Sequence, residues 1–290
     1  MSAGSSSLGP ETMDRRTFLS VAPPLALLSA AGASAVPTPS RRALSAFGVQ
    51  LYTLRSVMAG DVGRTLAAVA EIGYLEVELA GLHELTPRQM RARLDDVGLI
   101  AASSHQSVAE VRGDWAGVLE GARELGQSLV VLPSIPADER TPDGLRRLAD
   151  DFNRAGDAAR AAGLRFGYHN HDWEHRALPD GTVPMDLLLE RTDPDVVDWQ
   201  MDVFWTVHGG IDPVRYLDQA AGRVTSIHMK DRTADGRMVA VGEGVIDFGA
   251  LIPFAERLGL IHAFVEHDQP GDDPVASVRR SFAHLRRLFP

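Results

Sequence analysis

From Phe47 onward, short apolar runs of β type alternate with longer stretches in which apolar residues recur every three or four positions. The strand-like runs are Phe47–Tyr52, Tyr74–Leu79, Ile100–His105, Leu129–Pro133, Arg165–Asn170, Val196–Asp202, Val224–Lys230 and His262–His267. Between them the spacing is helical, as in Leu66, Val69 and Ala70, or Leu94 and Val97. Several helical stretches end in a glycine just before the next strand, at Gly73, Gly98, Gly126, Gly163 and Gly259. Glycine there supplies the left-handed residue that stops a helix and turns the chain back. Strand, helix, glycine and strand in repetition predict right-handed βαβ units and a parallel sheet. Eight units without an internal linker, and without a Gly-rich dinucleotide fingerprint after the first strand, predict an α/β fold with a single (β/α)8 TIM barrel over residues 47–290.

The residues before the first strand read as an address. Asp14-Arg-Arg-Thr-Phe-Leu opens a charged stretch that passes into an apolar one and ends in Ala33-Ser-Ala35, the small-x-small pattern of a cleavage site. Paired arginines before Phe18 and Leu19 resemble a twin-arginine signal, so residues 1–35 are expected to be a cleaved leader, residues 36–46 a linker, and Met13 a candidate start. The expected partner is the twin-arginine export machinery, and the expected location is periplasmic or secreted. Pro23 and Pro24 break the short apolar stretch, which disfavours a permanent membrane span.

Charge and composition narrow the function. A net charge of −10 disfavours sequence-independent binding to nucleic acid, which draws affinity from cations set against phosphates. With no cysteine, disulfides and thiolate metal sites are excluded. Lys230 is the only lysine among 29 lysine and arginine residues. A lone lysine is either a leftover or a site that needs a compact, titratable ammonium rather than a guanidinium fork, and polar groups at other strand ends favour the second.

Polar groups gather at strand ends, where a barrel keeps its active site. Side chains alternate faces along a strand, so His228 with Lys230, Gln200 with Asp202, Glu76 with Glu78, and His169 with His171 share a face. His169, Asp202, His228 and Glu266 fall at or near the ends of strands five to eight. Together they offer two imidazoles and two carboxylates to one point. That mixed set suits one divalent ion, Mn²⁺, Co²⁺, Zn²⁺ or Fe²⁺, better than Ca²⁺.

The motifs Gly48-Val-Gln-Leu-Tyr-Thr-Leu-Arg, Gly73-Tyr-Leu-Glu-Val-Glu, Ser104-His, Gly167-Tyr-His-Asn-His-Asp, Met201-Asp-Val-Phe-Trp, Ile227-His-Met-Lys-Asp and Val241-Gly-Glu-Gly-Val-Ile-Asp-Phe occur in order. Together they resemble the xylose-isomerase-like barrel superfamily, in its sugar phosphate isomerase/epimerase branch. The resemblance implies a metal set of glutamate, aspartate, histidine and glutamate on strands five to eight. Asp202, His228 and Glu266 carry across directly, whereas His169 stands where the common pattern has glutamate. In relatives that epimerise, that glutamate is one of two bases flanking the substrate, so its absence counts against two-base epimerisation.

Chemistry follows from a Lewis-acidic ion beside a sugar or ketosugar, where a carbonyl and an adjacent hydroxyl can chelate and an enediolate can form. Glu266, Glu78 and His105 are the candidate bases for the proton next to the carbonyl. Lys230 is the candidate to hold a substrate oxygen or oxyanion. His171, Glu174, Gln50 and Trp205 are candidate sugar contacts, Trp205 with Phe204 as an apolar platform. Pro133-Ser-Ile-Pro136 is expected to shape a loop at the mouth, and Gly242-Glu-Gly244 with Asp247 a loop on the substrate side. The primary expectation is a metal-dependent sugar isomerase or epimerase. A lyase eliminating the aglycone from 3-keto-glycosides is the near alternative, since an exported enzyme would meet free or oxidised sugars rather than sugar phosphates. A non-catalytic sugar-binding protein is the third reading; a DNA endonuclease, also known in the superfamily, is disfavoured by charge. A homodimer is possible for such barrels, though no exposed stripe in the sequence marks one.

Overall fold

The computed structural model describes residues 46–290 apart from residue 221; the expected leader and all of the expected linker except Ala46 lie outside the described residues. Eight parallel strands close into a barrel: β1 (Gly48–Gln50), β2 (Glu76–Leu79), β3 (Ile100–His105), β4 (Leu129–Leu132), β5 (Arg165–His169), β6 (Val197–Asp202), β7 (Val224–Met229) and β8 (His262–Val265). Each pairs with its neighbour in chain order, and β8 returns to β1 with Gly48 opposite Phe264. Helices fill the crossovers, as the alternating pattern predicts. None among the described residues is long and apolar enough to cross a membrane.

Local chemistry sets the boundaries. The Pro87–Val97 helix begins with a reciprocal cap between Thr86 and Gln89 and stops at Gly98, whose φ of 74° is left-handed. The expected first strand is cut short: the Gln50 side chain accepts a hydrogen bond from the Tyr52 amide and turns the chain into a 3-10 helix, Leu51–Leu54. The fourth strand stops before Pro133, which has no amide hydrogen for the ladder. The seventh stops at Met229, and beyond Lys230 a ribbon pairs Asp231–Arg232 with Met238–Val239. Asp231 then anchors the glycine loop, accepting from the amides of Gly242, Gly244 and Ile246.

The outward faces of the strands are apolar. Val77, Leu79, Val130, Phe166, Trp199, Met201 and Ile227 join helix residues such as Leu66, Leu94, Leu148 and Phe152 in one core. Inward positions are largely polar, unlike the branched apolar layers that usually fill such barrels. Register slips by one residue at two places, opposite the Val77–Glu78 and Trp199–Gln200 steps. Both slips aim a serine at its neighbour's polar group: Ser103 donates to Glu78 at 2.6 Å, and Ser226 accepts from Gln200 at 3.1 Å.

Below this polar stack, Phe264 fills the lumen, and a Cβ on Gly48 would lie 2.4 Å from its ring. Gly48→Ala is therefore expected to cost about 1–3 kcal/mol, seen as a lower urea midpoint with unchanged slope. An unshifted midpoint would show that the Phe264 ring can move aside.

Candidate metal centre and active site

Asp202 ends β6 and also caps the following helix, Val203–His208. Its Oδ1 accepts the Trp205 amide at 2.9 Å, which fixes the carboxylate and leaves Oδ2 facing the centre of the barrel mouth. Opposite Asp202 in the ladder stands His228, and Glu266 follows β8 directly. One donor atom from each of Asp202, His228 and Glu266 lies within 4.8 Å of the others, and all three residues are buried. His105, His169 and His228 make a second set of the same compactness. His169 Nε2 is 3.5 Å from Asp202 Oδ2, so the four residues expected to gather at the mouth do so.

The donor chemistry fits a divalent cation. Asp202 Oδ2 is buried and receives no aligned hydrogen bond, although Lys230 Nζ lies 3.0 Å away. A buried carboxylate oxygen without a hydrogen bond is costly, and a divalent cation beside it would satisfy it. Burial pushes the Asp202 carboxyl up to about 6, with Lys230 and His228 opposing. Burial likewise keeps the His169 imidazole neutral, aided by the repulsion of His228, which leaves a ring nitrogen free of the competing proton.

Glu78 lies one layer deeper, wholly inaccessible to solvent. It accepts from Gln50 Nε2 at 2.7 Å, Ser103 Oγ at 2.6 Å, Gln200 Nε2 at 2.7 Å and His228 Nε2 at 2.5 Å. Burial works against its charge, but His105 and His228 hold it well below the usual carboxylate range. So saturated, Glu78 does not reach a substrate, which corrects the expectation of a base there. Gln50 is corrected with it: fully buried, it serves Glu78 and the turn at Tyr52 rather than a sugar. His228 sits between two carboxylates, Nε2 on Glu78 and Nδ1 on Glu266, each at 2.5 Å. Burial alone would depress the imidazolium, yet Glu78 and Glu266 push it up to about 10.

Lys230 sits among three carboxylates: Nζ donates to Asp268 Oδ1 at 2.9 Å and lies 3.0 Å from Asp202 and 2.9 Å from Glu266. It neutralises a cluster of carboxylates and also borders the cavity in which it was expected to hold a substrate oxygen. Asp268 went unforeseen, although it shares the parity of Glu266 two residues earlier. Gln200 links the two levels, its Oε1 accepting from His105 at 3.1 Å and from His169 at 3.0 Å.

Above the cluster opens a cavity of about 390 Å³, bordered by Tyr52, His105, Pro133, His171, Lys230 and Glu266 among others. That volume suits one sugar ring. The Pro133–Pro136 loop supplies part of its wall, as expected. His171 faces the cavity, its ring 5.7 Å from that of Trp205. Burial pushes the His171 imidazolium down to about 4, with Lys230 adding to the effect.

Glu174 is elsewhere. The chain folds into a 3-10 turn over Trp173–His175, and the carboxyl turns away from the mouth to accept the Tyr168 hydroxyl at 2.5 Å and the His171 amide at 2.9 Å. It pins the loop after β5 and does not face the cavity, correcting its assignment to the sugar. Burial pushes this carboxyl from 4.5 up to about 7, against those two hydrogen bonds. Between these values the folded protein holds a proton that the unfolded chain releases, so stability falls as pH rises and levels off above 7. The loss is about 3 kcal/mol. In Glu174→Gln the fall is expected to vanish, so the unfolding free energies of wild type and variant diverge between pH 5 and 8 in favour of the variant. A difference independent of pH would contradict this.

Comparison with known proteins agrees with the architecture. The profile of the xylose isomerase-like TIM barrel family matches residues 66–288. The chain is 27% identical over 272 residues to an inosose dehydratase of Geobacillus kaustophilus (strain HTA426), covering 78% of this chain and 86% of that protein. A crystal structure of a sugar phosphate isomerase/epimerase from Parabacteroides distasonis ATCC 8503 superposes with a TM-score of 0.73 at 29% identity, covering 83% of this chain and 93% of that one. The IolI protein, solved with a zinc atom bound, superposes with a TM-score of 0.67 at 15% identity over 84% of this chain and 97% of that one, a likeness of fold. The closed barrel and the profile match together show that this chain belongs to the xylose isomerase-like TIM barrel family.

Proposed function

We propose that this protein is a metal-dependent lyase acting on a keto sugar or keto-polyol. It would remove the proton next to the carbonyl and expel an oxygen substituent from the β carbon. The observation that carries the reading is how the cavity's carboxylates are engaged. Both that border it, Glu266 and Asp268, come from the end of β8 and are ion-paired to Lys230, whereas His105 on the facing wall has the carboxylate of Glu78 behind it and is the group placed for proton transfer. Epimerisation needs a proton donor and acceptor on opposite faces of one carbon; elimination can run with one group on one face.

Asp202, His228 and Glu266, with His169 beside them, would hold the divalent ion, which when bound supplies Lewis-acid polarisation of the substrate carbonyl. His228 can then keep an N–H on Glu78, the carboxylate–histidine arrangement that fixes a ligand ring. His105 is the candidate base: its side chain borders the cavity, and its Nε2 lies 3.1 Å from Glu78 Oε2. Glu78 thereby acts behind the base, stabilising the imidazolium formed when His105 takes the proton. The C–H pair becomes the new C=C bond as the β C–O bond breaks, and the proton on His105 passes to the departing oxygen. The product is an unsaturated ketone plus water or an alcohol. The likeness to an inosose dehydratase supports elimination from a cyclic keto-polyol. Sugar phosphates are disfavoured because no arginine among the described residues borders the cavity and Lys230 is already surrounded by carboxylates.

Incubation of Mn²⁺-loaded protein with inososes, free ketoses and 3-keto-glucosides in D₂O tests the reading. The expected result is an unsaturated ketone, with release of water or alcohol. A recovered substrate carrying deuterium at an inverted carbon would establish epimerisation instead. Unchanged substrates that nevertheless bind would establish a sugar-binding protein.

A further inference from the structure

Beside the reaction cavity lies a larger one of about 980 Å³, and Ala80, His105, Pro133 and Ser134 border both. It runs outward from the mouth along the Trp115–Leu125 helix, flanked by the loop after β2, by Pro87 and by the segment after β3, and Leu79, Leu82, Val118, Ala122 and Leu125 are among its walls. Gly117 and Gly121 line it on that helix beside Val118 and Ala122, so the face carries only small and branched apolar groups at two successive turns.

Its wall is mostly apolar, with Ser107, Glu110 and Asp114 among its polar members, and one chain of polar side chains crosses it. Gln106 Nε2 donates to Ser104 Oγ at 2.9 Å, and Ser104 Oγ donates to Gln127 Oε1 at 3.0 Å. The chain ends at Gln127 Nε2, which has no hydrogen-bond partner in a residue only 6% exposed. A buried amide without an acceptor costs about 1–3 kcal/mol. Both ends of this hydrogen-bonded chain border the groove.

We infer that this groove is the subsite for an apolar, ring-shaped leaving group carrying a hydrogen-bond acceptor, which Gln127 receives while the keto sugar occupies the mouth. The inference rests on the lyase reading and narrows it: the substrate is the keto form of a glycoside with an aryl aglycone. A second sugar is a poor occupant, since its hydroxyls would meet mostly carbon. In the reaction the glycosidic C–O bond breaks, the aryl oxygen takes the proton from His105, and the phenol is left in the groove. His105, shared by both cavities, stands at the junction where that bond would lie.

Binding of unoxidised probes tests the subsite without turnover. Calorimetry with methyl, phenyl and 4-acetylphenyl β-D-glucoside is expected to show the phenyl compound binding at least ~10-fold tighter than the methyl one, the gain from burying a ring. The acetyl carbonyl is expected to add a further ~5-fold or more, the gain from one satisfied donor. Gln127→Leu should erase the acetyl increment alone, and Val118→Trp, which fills the groove, should erase both. Equal affinity for methyl and phenyl glucosides, or an aryl advantage that survives Val118→Trp, overturns the inference. Elimination from methyl 3-keto-glucoside, assayed separately, reports on the lyase reading. Its absence would sink that reading while the binding comparison still decides the subsite.

Discussion

Glu266→Gln is expected to lower kcat/KM by about 10³-fold, near the upper end of what loss of one preorganised electrostatic group costs. The carboxylate serves three groups in a solvent-poor site. Its Oε2 lies 2.5 Å from His228 Nδ1 and 2.9 Å from Lys230 Nζ, and it belongs to the cluster that can hold the ion. An amide of the same shape keeps the packing but offers neither the negative charge for the ion nor a counter-charge for Lys230. Bound Mn²⁺ per chain should fall in parallel with activity, and circular dichroism should show the fold retained. Full metal content with lost activity would instead place Glu266 in proton transfer.

Lys230→Met should have the second largest effect, on stability. Removing the ammonium leaves Asp202, Glu266 and Asp268 facing one another without their shared partner. Breaking a buried ion pair from one side costs about 3–5 kcal/mol, equivalent to a fall in Tm of roughly 10 °C for a barrel of this size. The fall should be largest in EDTA. Millimolar Mn²⁺ should restore much of it, because a divalent ion gives Asp202 and Glu266 back their positive partner, and Na⁺ should not. The same loss with and without Mn²⁺ would mean that Lys230 and the ion do not share those carboxylates.

The barrel was legible in the sequence because each unit repeats the same local physics. Apolar strands, helical spacing and a stopping glycine such as Gly98 recur, and no long-range information is needed to count them. The polar mouth was legible for a related reason: strand parity and strand ends placed His169, Asp202, His228 and Glu266 on one face at one level.

Parity gives the face of a residue but not its depth. Glu78 and Gln50 point inward as parity requires, yet they sit a layer below the mouth. Glu174 was misplaced because a 3-10 turn after His171 breaks the strand's alternation and rotates the carboxyl toward Tyr168. Lys230 stands out in the sequence by its rarity, but the three carboxylates around it come from two other strand ends. Asp268 could have been found by carrying the parity of Glu266 two residues further. The groove at Gln127 could not, since it arises where the loop after β2, the segment after β3 and the Trp115–Leu125 helix meet, a feature without periodic trace.

The account stands on one divalent ion held by Asp202, His228 and Glu266. Anomalous diffraction from crystals grown with Mn²⁺ tests it most directly. The account predicts a single peak per chain among those three side chains, absent in Asp202→Asn. Crystals with no peak there, and Lys230 still bridging the carboxylates, would contradict it.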